Sequence, residues 1–258
     1  MSGGAGPSTI AGHAAVDVPT ARELLEAVHR RISRDEIAAI VRGLQDKARL
    51  FADRLGEDAI GRADEAVLRE VLGCVFVARR KASAVLGARP ASDLRDVIAA
   101  LLYGDGAAGE RLDAFCAQIE LPQACAAELG GELLHFTQPE RHWLCSRFVY
   151  NAGTRTGALP LLVSEDYELD ADTVADSYER IGVAIGALDG SAETSSFRVG
   201  GGGPLATDLF LACVYGVYMN TVLGLKMSQE FNALIPPLPQ LARRLLGTQR
   251  MVPTTGGA

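Results

Sequence analysis

The sequence predicts a mostly α-helical protein, a single-domain helical bundle with a small β-hairpin packed against a central apolar helix. Three observations carry this. From Leu209 to Leu225 there is no charged residue, directly after Gly200-Gly201-Gly202-Gly203 and Pro204, and a helix that is apolar all round must be enclosed by protein or by lipid. The run falls just short of the roughly 18 to 20 residues a bilayer needs, and it carries Tyr215, Tyr218, Asn220 and Thr221, so it reads as the core helix of a soluble fold. Ser33 followed by Glu36 is a capping-box signal that opens an amphipathic period. From Thr20 to about Leu134 the apolar residues then recur at helical spacing almost throughout.

Taken in order, residues 1–19 are small and punctuated by Pro7 and Pro19, which predicts a disordered tail. In the first helix with a clear cap, Ile37, Ile40, Val41, Leu44, Ala48, Phe51 and Leu55 share one face, and Gly56 marks its end. A second helix is expected from Asp64, with Val67, Leu68, Val71, Leu72, Val75 and Phe76 inward, stopping before Gly87 and Pro90. Ser92 is placed to cap a third, carrying Leu94, Val97, Ile98, Leu101 and Leu102. Shorter helices follow near 112–119 and, with Pro122 in a first turn, near 123–129. The domain spans 20–251, a helical half at 20–134 followed by a hairpin and central helix at 135–251, and 252–258 form a second tail.

The character changes at His135. The stretches 142–150 and 156–163 are rich in aromatic, Val and Leu residues and flank Asn151-Ala-Gly-Thr-Arg155, a pattern that predicts a hairpin, with Pro160 confining its second strand to an edge or bulge. Asp170 is expected to cap a helix whose inner stripe is Val174, Tyr178, Ile181, Ile185 and Leu188, with Gly182 and Gly186 leaving a groove for another helix. A short strand at 194–199, the apolar helix at 207–232, and a last helix carrying Leu241, Leu245 and Leu246 complete the pattern.

Composition narrows the function classes. The formal charge of −7 argues against nucleic acid, whose phosphates need clustered Lys and Arg that acids do not offset. The first residues lack a basic segment followed by an apolar one, which predicts a cytoplasmic product. Five cysteines, an odd number spread along the chain, do not make a disulfide framework and are expected as reduced, buried thiols. The abundance of Ala, Arg, Gly and Leu suggests a bacterial source.

No motif names a cofactor or a catalytic constellation. His142 and Cys145 form an H-x-x-C pair, but the Cys and His residues between Cys116 and Cys145 lack the spacing of a metal knuckle, so no metal site is expected. Neither Cys145 nor Cys213 has a local nucleophile signature beside His135 or His142. The acids from Glu165 to Glu179 suit a helix start better than a cation site. The glycine loop lacks the Lys-Ser/Thr of a phosphate loop.

Two functional readings follow. The first is a cytoplasmic, non-catalytic assembly, maturation or adaptor protein that binds another protein through a helical groove. The second is an enzyme or small-molecule binder with a pocket between the 142–163 hairpin and the 207–232 helix. In that pocket Trp143, Tyr150, Tyr215 and Tyr218 serve as walls and His135, His142, Arg147 and Arg155 as polar handles, the arginines suiting a small anionic ligand.

Overall fold

The computed structural model describes residues 16–189, 191, 194, 196–198, 203–226 and 236–250. Helices α1 (Val18–His29), α2 (Arg34–Leu55), α3 (Glu57–Ile60), α4 (Glu65–Cys74), α5 (Ala82–Gly87), α6 (Ala91–Tyr103), α7 (Ala108–Gln118) and α8 (Gln123–Thr137) make up the first half. Helices α9 (Val174–Asp189), α10 (Pro204–Lys226) and α11 (Leu238–Leu245) follow, with 3-10 turns at Leu159–Leu161 and Thr248–Arg250. The mostly α class is therefore correct.

Helix α2 starts where its cap dictates. The Glu36 amide donates to Ser33 Oγ at 3.3 Å and the Ser33 amide to Glu36 Oε2 at 2.8 Å, which satisfies two N–H groups that the first turn leaves unpaired. Its inward stripe from Ile37 to Leu55 is buried as the period requires. It packs on both α8 and α10. Helix α8 packs further on α6 and α7, whereas α10 packs on α1, α9 and α11. The buried apolar side chains of all these elements form one continuous cluster.

Every residue of α10 from Leu205 to Val214 is buried, and exposure begins only at Tyr215. The segment Pro204–Val222 is long and apolar enough to cross a membrane, yet 67% of it is buried inside the protein, the signature of a core helix. Its expected continuation from 227 to 232 lies outside the described residues.

Several expectations are corrected. Among the described residues there is no strand, so the hairpin is absent. The chain does reverse at the expected loop, through one antiparallel bridge between Asn151 and Thr156. Around it the backbone turns instead of extending, with the Val149 and Tyr150 amides both donating to the Ser146 carbonyl. Phe148, Val149 and Tyr150 are buried in succession; a strand covered on one face would expose the middle one. The described part of 194–199 is not a strand either, and the remainder lies outside the described residues.

Helix α8 runs to Thr137 and takes His135 into its last turn. The helix expected from Asp64 to Gly87 is two helices, because Val75 is extended and 76–81 turn; Phe76 is exposed, with the Arg79 guanidinium 4.5 Å from its ring centroid. Pro90, not Ser92, occupies the cap of α6. Thr173, not Asp170, caps α9, its Oγ1 accepting from the Asp176 amide at 3.0 Å. Helix α1 begins inside the expected tail, capped by Asp17.

Close approach at glycine shapes two junctions. A Cβ at Gly131 would lie 2.7 Å from the Cys145 carbonyl oxygen, and one at Gly130 would lie 2.9 Å from the Phe115 ring. The paired glycines thus let α7 and the 142–163 segment reach the α8 backbone from different sides. In α9, Gly182 faces the Trp143 indole, which a Cβ would meet at 2.1 Å, while Gly186 faces open space. The expected groove for another helix holds a tryptophan instead. Gly186→Ala should therefore stabilise the fold by about 0.5–1 kcal/mol through helix propensity. Gly182→Ala, four residues earlier, should destabilise it by about 1–3 kcal/mol through overpacking. Urea unfolding of the two variants beside the parent checks the opposite signs.

Candidate functional site

Three ionisable residues stand on one face of α8 at helical spacing, Glu128, Glu132 and His135. Each is almost fully buried and each is tied to a different element. Glu128 Oε2 accepts from Arg147 Nε at 2.7 Å, which holds the 142–163 segment. Glu132 Oε2 accepts from Lys47 Nζ of α2 at 2.6 Å. His135 Nε2 lies 2.7 Å from Asp208 Oδ2 of α10.

Lys47 is 0% exposed and its ammonium is fully engaged. Besides Glu132 it donates to the Leu246 carbonyl at 3.0 Å, and it sits 3.8 Å from the Phe136 ring centroid, a favourable cation–π placement. Burial pushes the Glu132 carboxyl above its ordinary range, with Lys47 acting against that. For His135 burial favours the neutral ring, but Asp208 and the His142 carbonyl outweigh it and raise the pKa. The geometry agrees: His135 Nδ1 lies 2.7 Å from the His142 carbonyl, an acceptor only, so Nδ1 must carry a proton. Nε2 faces a carboxylate, and an imidazolium satisfies both partners.

Beside Glu128 lies a solvent-open cleft of about 240 Å³ between α8, residues 145–153 and the start of α9. Ala124, Ala127, Val174 and Ile181 give it apolar walls, and Glu128, Ser146, Arg147 and Asp172 its polar groups. Ser146 is 4% exposed and its Oγ has no hydrogen-bond partner among the described residues. The Cys145 thiol, also in this wall, is pushed up to about 12 by burial and by Glu128. It stays protonated near neutral pH and is no nucleophile there. Cys213 is likewise raised by burial.

Of the residues proposed from sequence for a pocket, Arg147 and Tyr150 line this cleft. His135 faces Asp208 in the core. His142 opens into a separate cavity beyond the end of α8. Trp143 donates its indole N–H to the Tyr178 carbonyl at 2.8 Å and stacks on the Tyr178 ring. Arg155 is exposed and pairs with Asp170 at 2.6 Å. Tyr215 packs against Phe148 and Tyr218. The cleft is walled by α8 and α9, not by α10. The acids after Glu165 are engaged locally: Asp170 by Arg155 and Tyr150, Asp176 by Thr173. Among the described residues no three His, Cys, Asp or Glu side chains are grouped as a metal would need.

Lys47, Glu128, Glu132 and Asp208 were not singled out from sequence. A signal was present, since Lys47 falls on the apolar stripe of α2 between Leu44 and Phe51. Lys47→Met should leave Glu132 buried without its partner and cost about 3–5 kcal/mol. Lys47→Met combined with Glu132→Leu should recover most of that loss, as a double-mutant cycle by chemical denaturation would measure.

Comparison with protein-family models, curated proteins and solved structures finds no match to this chain.

Proposed function

We propose that the protein is a cytoplasmic, non-catalytic binding protein, an assembly, maturation or adaptor factor that holds a segment of another protein in the cleft between α8 and α9. The observation that carries this reading is the composition of that cleft. It has apolar walls, and the buried Ser146 hydroxyl in its lining has no partner among the described residues; an unmet buried polar group favours a ligand that completes it. The chemistry on its wall favours binding over catalysis, because the Cys145 thiol is held protonated and the Arg147 charge is neutralised by Glu128. With Glu128, Asp172 and Arg147 the lining favours a neutral or cationic group over an anion.

A second reading, a small-molecule binder, is favoured by the size of the cleft, which at about 240 Å³ is close to the lower end of small-ligand pockets. One experiment separates the two. A photocrosslinker at Ala152, on the cleft, is compared in the native host with one at Arg95 on α6, with and without Ala124→Trp to fill the cleft. The adaptor reading predicts a crosslink from Ala152 only, to one polypeptide whose crosslinked segment maps by mass spectrometry, and its loss with Ala124→Trp. Equal crosslinking from Ala152 and Arg95, or none from Ala152, contradicts it. A small bound mass in the native mass spectrum, removed by Ala124→Trp, establishes the second reading in its place.

A further inference from the structure

A second cavity, of about 600 Å³, lies beyond the end of α8 and is lined by Glu57, Tyr103, Arg111, Gln138, Glu140, Arg141 and His142, with Leu102 and Pro139. We propose that this cavity is a binding site for a small oxyanion-bearing molecule, with Arg111, Arg141 and His142 as its ligands.

The argument begins with where the charges are fixed. Arg111 of α7 donates through Nη1 to the Leu102 and Gly104 carbonyls at 3.1 and 3.0 Å. These bonds fasten its guanidinium to the end of α6, and its buried Nε has no partner among the described residues. Among the described residues, no carboxylate lies within ion-pair distance of Arg111 or Arg141. By contrast, Arg54, Arg69, Arg147, Arg155 and Arg180 all have such partners. Two unpaired guanidiniums on one concave surface are the arrangement that recognises phosphate or carboxylate oxygens.

His142 lies between them in character. Its backbone is set by the turn after α8, where the Arg141 and His142 amides both donate to the Gln138 carbonyl, at 3.0 and 3.1 Å. Its own carbonyl accepts from His135. Burial, then the positive charges of Arg111, His135 and Arg141, pull its imidazole down to about 4. Two carboxylates, Glu57 and Glu140, also line the cavity. Glu57 acts on Tyr103, and Glu140 points towards Gly203, its Oε1 3.4 Å from where a Cβ there would stand. The charges acting on His142 are those of Arg111, His135 and Arg141, all positive, so its end of the cavity is electropositive. An oxyanion there would offset the two guanidiniums and favour the imidazolium, so binding and protonation of His142 reinforce each other. The sign follows: with His142 lowered in the free protein and raised in the complex, affinity grows as pH falls from neutrality towards about 4.

The test uses sulfate, whose charge is constant over that range, and the imidazole C–H resonance of His142, identified by its loss in His142→Gln. Sulfate, and not chloride at equal ionic strength, should shift this resonance and raise its titration midpoint. Displacement by inorganic phosphate assigns the site to phosphate-type ligands and displacement by acetate to carboxylates. Arg141 is exposed, so Arg141→Gln should keep the fold, as an unchanged His135 resonance verifies. It should weaken sulfate binding by about tenfold or more. The proposal is overturned if sulfate gives no shift beyond that of chloride, or if Arg141→Gln binds sulfate as the parent does.

Discussion

The buried charge on α8 is the constraint around which the protein is built. Lys47, Glu132, His135 and Asp208 are all at most a few per cent exposed, and removing such groups from water costs several kcal/mol each unless they are paired and fully hydrogen-bonded. They are paired across helices and never within one. That requirement fixes the rotation of α8 about its axis and its height against both α2 and α10. A slip of one residue on α8 would carry Glu132 about 100° away from Lys47 and leave two unmatched charges in the core. Apolar packing alone tolerates such slips far better, so these pairs act on specificity more than on net stability.

The two cavities follow from the placement of α8. With its face turned to α2 and α10, Gly130 and Gly131 receive α7 and the Cys145 backbone. The 142–163 segment is then held through Arg147 on Glu128 and through its His142 carbonyl on His135. The cleft lies on one side of that segment and the cavity around Arg111 and His142 on another. Both are therefore positioned by the polar contacts that α8 makes with this segment. The same pairs engage residue types that are often reactive: the imidazole of His135 is held by Asp208 and the charge of Arg147 is offset by Glu128.

Much of the helical framework was legible in sequence because it rests on local chemistry. The Ser33–Glu36 box, the 3.6 period of α2, the Asp64 cap and the uncharged run of α10 each state their structure within a few residues. What was misread depends on contacts distant in sequence. Residues 142–163 have the aromatic and Val content of strands, but Phe148, Val149 and Tyr150 are all enclosed by other elements. Helix α8 looked short because Glu128 and Glu132 interrupt its apolar pattern, and their partners come from Arg147 and from Lys47, 85 residues away. Asp170 has the composition of a cap, yet its carboxylate is taken by Arg155 and Tyr150, leaving Thr173 to cap α9. For the site, residue type was a poor guide. Arg147 and His142 do face cavities, but different ones, and the hydroxyl of Ser146 gives no signal in sequence.

Native-state hydrogen exchange of the α8 amides addresses the central claim most directly. If the charge pairs bind α8 to α2 and α10 as one unit, the amides from Leu129 to Phe136 exchange only through global unfolding. Their exchange free energies then equal those of Ile40 to Phe51 in α2 and of Leu209 to Val214 in α10, with one common denaturant dependence. If the α8 amides instead open at a distinctly lower free energy while α2 and α10 stay protected, α8 is a separable element and the account is contradicted.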